Sequence, residues 1–261
     1  MTSAPPPPPG YLPVAKWRLL DVVIVFAAGF AGAIVATSIV MAAGEDPTQP
    51  FWFSIVFFAQ SGASFIFAWW LSKRRGTGSL AADVGLIVRG RDWWGVPAGM
   101  VVQIAISLMI LPLTVWLFPD GAPQQGVSEI AGQSKTILDQ LAVFIAVAVA
   151  APIVEEVIFR GMLLSVLARA MSKWPAIIVS GAIFGAVHLL DPNAIAVVPG
   201  LFLIGVVLAW VALRSGDLSL PIAIHSGINL LAAIGILYGE ELMNWYQQQS
   251  AQLEGVIRLL L

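Results

Sequence analysis

The sequence has no cysteine. That excludes disulfides, thiolate nucleophiles, Cys-ligated zinc and iron–sulfur clusters together. Charge is scarce as well: 11% of residues are Asp, Glu, Lys or Arg, under half of the ~25% usual in soluble domains. The formal net charge of −2 leaves no basic footprint for nucleic acid. What fills the 261 residues instead is apolar, 59% hydrophobic with a mean hydropathy of +0.88. A disordered chain and an ordinary water-soluble globule are both excluded, and the length suits one polytopic membrane domain.

A membrane-spanning helix needs about 20 mostly apolar residues. Seven stretches qualify: 19–43, 51–71, 93–118, 141–169, 175–190, 194–213 and 218–238. The expected fold is all-α, a polytopic integral membrane helical bundle of about seven transmembrane helices with additional interfacial helices. The organisation reads as a Pro-rich disordered tail over residues 1–15 and motif-free helices with a polar loop over 16–140. A functional core follows over 141–238, then a polar, amphipathic tail over 239–261. The run Pro5–Pro9 cannot be helical. The polar stretch Asp120–Gln140 is a candidate surface helix.

Ten of the thirteen Lys and Arg fall between alternate spans on one side: Lys16, Arg18, Lys73, Arg74, Arg75, Arg89, Arg91, Arg169, Lys173 and Arg214. The positive-inside rule then predicts a cytoplasmic N-terminus and an external C-terminus in a cell membrane. Trp17, Trp52, Trp69, Trp70, Trp93, Trp94, Trp116 and Trp174 cluster near span ends, as an interfacial aromatic belt would.

Span four breaks the apolar rule. Glu155, Glu156 and Arg160 sit in its middle, each at about 2.5–3.5 kcal/mol on insertion scales. Such groups must face the bundle interior and be paired or hydrated. Glu156 and Arg160 stand i, i+4 in the favourable order. Glu155 points about 100° away. It is left without a local cation, free to act as a base. The alternative is a purely structural ionic knot of all three. Pro152 removes one helix hydrogen bond just before the pair and predicts a kink there.

The two histidines of the chain, His188 and His225, both fall inside spans. Asn229 shares the face of His225 at i+4, and Ser226 and Gly227 keep that helix thin. Counted along the helices at ~1.5 Å per residue, Glu155, His188, His225 and Asn229 lie about 10–22 Å in from the cytoplasmic ends. These depths overlap, so the four side chains are expected to converge near mid-membrane. Gly181 and Gly185 are expected to let span five approach span four closely and bring His188 to it.

The segments APIVEEVIFRGMLL (Ala151–Leu164), FGAVH (Phe184–His188) and HSGIN (His225–Asn229) together resemble the motifs EExxxR, FxxxH and HxxxN of the CPBP family. These are the CAAX-type (type II CAAX prenyl endopeptidase-like) and bacteriocin-processing or bacteriocin-immunity proteins. The resemblance spans about Ala151–Leu231 and implies an intramembrane endopeptidase. It gives Glu155 the role of activating a water with His188. His225 and Asn229 stabilise the oxyanion, and Glu156 and Arg160 orient the helix and base. The substrate implied is a peptide or membrane protein in the bilayer, with C-terminal lipidated peptides as one class.

The family is commonly called a metalloprotease group, but the zincin signature HExxH is absent. A divalent metal such as zinc would use Glu155, His188 and His225. It would leave Glu156, already assigned to Arg160, as the remaining base. That ligand arithmetic favours catalysis without a cofactor. Competing readings are a non-enzymatic immunity or scaffold protein of the same fold, a proton-coupled transporter, and bis-histidine haem ligation. Transporters usually repeat their broken helices in both halves. Here the first three spans offer only Asp21, Gln60 and Gln103 as interior polar groups.

Overall fold

A computed structural model describes residues 16–260, with side chains described for all of these except Glu240 and residues 248–260. The tail predicted over residues 1–15 lies outside the described residues. Among these residues there is no strand. The helices are α1 (Leu19–Ala42), α2 (Pro50–Arg75), the single turn α3 (Leu80–Asp83) and α4 (Gly95–Leu117), which is preceded by a 3-10 turn. They continue as the short α5 (Gly126–Gly132), α6 (Ile137–Ala170), α7 (Lys173–Val187), α8 (Val198–Ser215) and α9 (Ser219–Leu260). Seven of them are long and apolar enough to cross a membrane, as the hydropathy pattern predicts. The chain is a multi-pass membrane protein. Beyond Tyr238, where a separate polar tail was expected, α9 runs on without a break.

Local sequence sets the boundaries. α6 opens with a reciprocal cap: Asp139 N donates to Thr136 Oγ1 at 3.1 Å and Thr136 N to Asp139 Oδ2 at 3.0 Å. α8 stops at Gly216, whose φ of 72° suits a residue without a Cβ. Asp217 then accepts from Ser219 N and Leu220 N and caps α9.

Three tightly packed pairs surround α6: α1 with α2, α4 with α9, and α7 with α8. All three are glycine contacts, and in the first Gly29 packs on Ser64 and Gly32 on Ala59 and Ala63. A Cβ on Gly99 would strike the Ile224 carbonyl, and one on Gly227 the Val96 carbonyl, so α4 and α9 touch backbone to backbone. Gly181 packs on Val206 and Gly205, and Gly185 on Val198 and Phe202. This corrects the sequence reading: the small face of span five meets span six, not span four. Between α6 and α7 stand the rings of Phe159 and Phe184, edge to face at 5.0 Å, so that contact is made by bulky side chains. With Gly227 committed to α4, the His225 and Asn229 face of α9 turns to α6.

The cytoplasm-predicted end is locked by buried acids. Asp21 pairs with Arg75 and Asp217 with Arg89; Asp92 accepts from Ser219 Oγ, and Asp83 from Ser72 Oγ and Thr77 N. Trp17 belongs to this lock. It is 2% exposed and donates to the Asp83 carbonyl at 3.1 Å, so it is a core residue and not part of the predicted belt. Trp69, Trp70, Trp93, Trp94, Trp116 and Trp174 are exposed on the bundle surface. Lys73 and Arg74 lie over Trp69 and Trp70.

Candidate active site

α6 is not a uniform α-helix. Ala146–Ala150 and Val157–Leu163 are π-helical, and the α-helical stretch Ala151–Glu156 between them carries both glutamates. Pro152 explains part of this. In the π register Ala151 N–H bonds Ala146 O, five residues back. Val147 O then needs a donor at position 152, where proline has none. Asn229 Nδ2 supplies it at 2.9 Å from α9. The predicted disruption at Pro152 is therefore a widened turn satisfied by a side chain from another helix. One of the two N–H groups of Asn229 is used in this way, which sequence reasoning did not foresee.

The two glutamates divide as their helical angle requires. Glu156 is fully buried, with Oε1 2.9 Å from Arg160 Nη1 and 2.8 Å from His225 Nδ1. Because a carboxylate accepts, His225 Nδ1 carries a hydrogen, and the ring turns Nε2 the other way. That Nε2 faces Glu155 Oε2 at 3.7 Å. Glu155 is 26% exposed and is not engaged by Arg160. Arg160, also fully buried, donates to Gly205 O at 3.2 Å and lies 4.5 Å over the Phe184 ring.

His188 occupies the 3-10 turn that ends α7. Its Nδ1 donates to Phe184 O at 2.8 Å, so its ring is left with Nε2 free of that bond. Phe184 touches both imidazoles edge-on, with centroids 5.1 Å from His188 and 5.7 Å from His225. It is the hub that holds Arg160, His188 and His225 apart at fixed angles. The motif spacing names Phe184, but only packing shows what it does.

Glu155, His188, His225 and Asn229 line one cavity of about 510 Å³ between α4, α6, α7, α8 and α9. Glu156 and Arg160 stay behind it, in the packed core. The surface helix expected in 120–140 is α5, which lies against the cavity through Val127, Ser128 and Ala131. It is tied down by Gly126 N donating to Asp191 Oδ2 at 2.7 Å. Asp191 follows the His188 turn directly, and no sequence signal connected it to α5. Among the described residues no three His, Asp or Glu side chains gather as a metal-holding group.

Residues 137–231 match the family model described as Rce1-like, type II CAAX prenyl endopeptidase Rce1-like. This is the family to which the three motifs pointed. The chain is also similar to an Escherichia coli protein described as an uncharacterized 24.3 kDa protein, 27% identical over 148 residues. That match spans 56% of this chain and 63% of the relative. No solved structure matches.

Proposed function

From the premise that residues 137–231 are an Rce1-like segment, we propose that the protein is an intramembrane endopeptidase with Glu155 as general base. One observation carries this reading. Of two adjacent carboxylates in mid-span, Glu156 is consumed by Arg160 and His225, while Glu155 faces the cavity without an arginine or lysine partner. Glu155, with His188 Nε2 as a second acceptor, takes a proton from a water, and the resulting hydroxide adds to the substrate carbonyl. The oxyanion is stabilised by the second Asn229 N–H and by His225 as the imidazolium, whose Nε2–H then donates. Collapse breaks the C–N bond, and Glu155 returns its proton to the leaving amine.

Glu156 and Arg160 position rather than react. The Glu156 carboxylate fixes the orientation of the His225 ring, and Arg160 fixes Glu156. The reaction as written needs no cofactor. The substrate is a peptide or membrane protein reached from the bilayer, and the prenyl-CAAX peptides named by the family description are the first class to try. The basic residues support a cytoplasmic N-terminus and an external C-terminus in a cell membrane. Comparison of protein termini in membranes holding wild type or Glu155→Ala tests the proposal. New termini that vanish with Glu155→Ala are expected. Identical termini at equal expression would overturn it and favour a non-enzymatic role for the same fold.

A further inference from the structure

The mid-span polar residues of the motif-free half take no part in the site above. Gln103 on α4 lines the 510 Å³ cavity. Its Oε1 is buried without a hydrogen-bond partner, and its Nε2 reaches only Ser107 Oγ, at 3.4 Å. Gln60 on α2 lines a second cavity of about 450 Å³, beside Ser61 and Ser64 and among Phe26, Phe30 and Phe57. Measured from the Arg75 end of α2, Gln60 lies about 22 Å in, the same depth as Glu155 from the Ala170 end of α6.

The two cavities meet. Glu155 and His188 line both, with Phe53, Phe57 and Ala151. The base therefore stands at the waist between two apolar chambers, where Gln125 at the start of α5 lines both and each has a mid-helix glutamine of its own, outside the family segment 137–231. A peptide bond attacked at a waist has chain on both sides of it. An extended main chain carries a donor and an acceptor at every residue, and in a water-poor cavity these need partners. A carboxamide supplies both kinds, and a buried amide oxygen without a donor is the counterpart such a chain would complete.

We propose that the substrate lies across both chambers with its scissile amide at Glu155, and that Gln103 and Gln60 bind its main chain on opposite sides of the cut. Gln103 Oε1 accepts a substrate N–H, and the Gln60 carboxamide holds the chain at the depth of the base. The ligand class is an extended segment with apolar side chains on both sides, the chamber of Phe26, Phe30 and Phe57 taking a bulky one. This rests on the endopeptidase reading of the same site and extends it to substrate binding.

The test uses the full chain in lipid nanodiscs and a synthetic library of apolar peptides, with cut positions read by mass spectrometry. Glu155-dependent cuts flanked on both sides by apolar residues are expected from wild type. Gln103→Leu and Gln60→Leu should each raise KM about tenfold with kcat nearly kept, the loss of one buried main-chain hydrogen bond. Truncating the peptide on one side should abolish the effect of one substitution and leave the other. Glu155-dependent cutting that both leucine variants leave unchanged would overturn the inference while sparing the endopeptidase reading. Leucine suits an apolar cavity, so folding should survive, as a thermal melt of each variant checks.

A second measurement needs no turnover. The chain has no cysteine, so Ser107→Cys and Ser61→Cys each place one thiol, in the first and second chamber. In Glu155→Gln protein, apolar peptides with a maleimide at one end should label one position from their N-terminal end and the other from their C-terminal end. Labelling of both positions by the same end, or of neither, would overturn the proposed path. Opposite-end labelling without any cutting would support the path and sink the endopeptidase reading alone.

Discussion

Buried acids occur at two levels of this molecule, and they are treated differently. At the cytoplasm-predicted end, Asp21, Asp83, Asp92 and Asp217 are each closed off by an arginine, a serine hydroxyl or backbone N–H groups on another element. In mid-span, Glu156 is engaged by two partners on one oxygen while its Oε2 has none, and Glu155 faces open space. The first arrangement ties helix ends together. The second keeps a carboxylate in an apolar medium with room for a reactant beside it. The acids at the helix ends hold the fold, and the one that opens onto a cavity, Glu155, is where chemistry can happen.

Substitutions can break that comparison, starting with the largest effect. Glu155→Gln should reduce turnover by about 10²–10⁴-fold, the range for a lost general base, with the thermal midpoint of purified protein unchanged or raised. A parallel fall in midpoint would show that Glu155 also holds the fold. Glu156→Ala should act on both quantities. It strands Arg160 in the core, at about 3–5 kcal/mol for a buried pair broken on one side, and it releases His225. A denaturation series together with turnover per folded molecule would register the two losses separately. Asp217→Asn belongs to the other class: about 1–3 kcal/mol of stability for weakened buried hydrogen bonds, since Arg89 is partly exposed. Turnover per folded molecule should be intact. Smallest is Asp191→Ala, which removes the acceptor for Gly126 N and should cost about 1 kcal/mol or less. It should loosen α5, seen as faster hydrogen exchange over Gly126–Gly132. If Asp217→Asn abolished activity while Glu155→Gln left it untouched, the distinction between the two levels would collapse.

Much of this was legible from sequence because it depends on neighbours along the chain. Seven spans follow from hydropathy, since backbone satisfaction in lipid forces long apolar helices. The Glu156–Arg160 pair follows from i, i+4 spacing, and the freedom of Glu155 from the angle between adjacent residues on a helix. Readings that required knowing which helices touch fared less well. Gly181 and Gly185 were assigned the wrong neighbour because small residues announce a close contact without naming its partner. Trp17 sits at a span end like the other tryptophans, yet α3 covers it. The resemblance gives Asn229 to the oxyanion, but that Val147 O also needs one of its N–H groups becomes visible only once α9 lies beside the π turn at Pro152.

Sequence alone determined that this chain is a helical membrane protein and that its cost of burying charge is concentrated at Glu155, Glu156 and Arg160. Composition and helical period suffice for both, because the bilayer penalises each residue according to its own chemistry. Tertiary structure alone decided that His225 is held by Glu156, that Phe184 spaces the two imidazoles, and that Glu155 opens onto two chambers. Those are relations between helices far apart in the chain, and they are fixed by side-chain shape at contacts that no local pattern encodes.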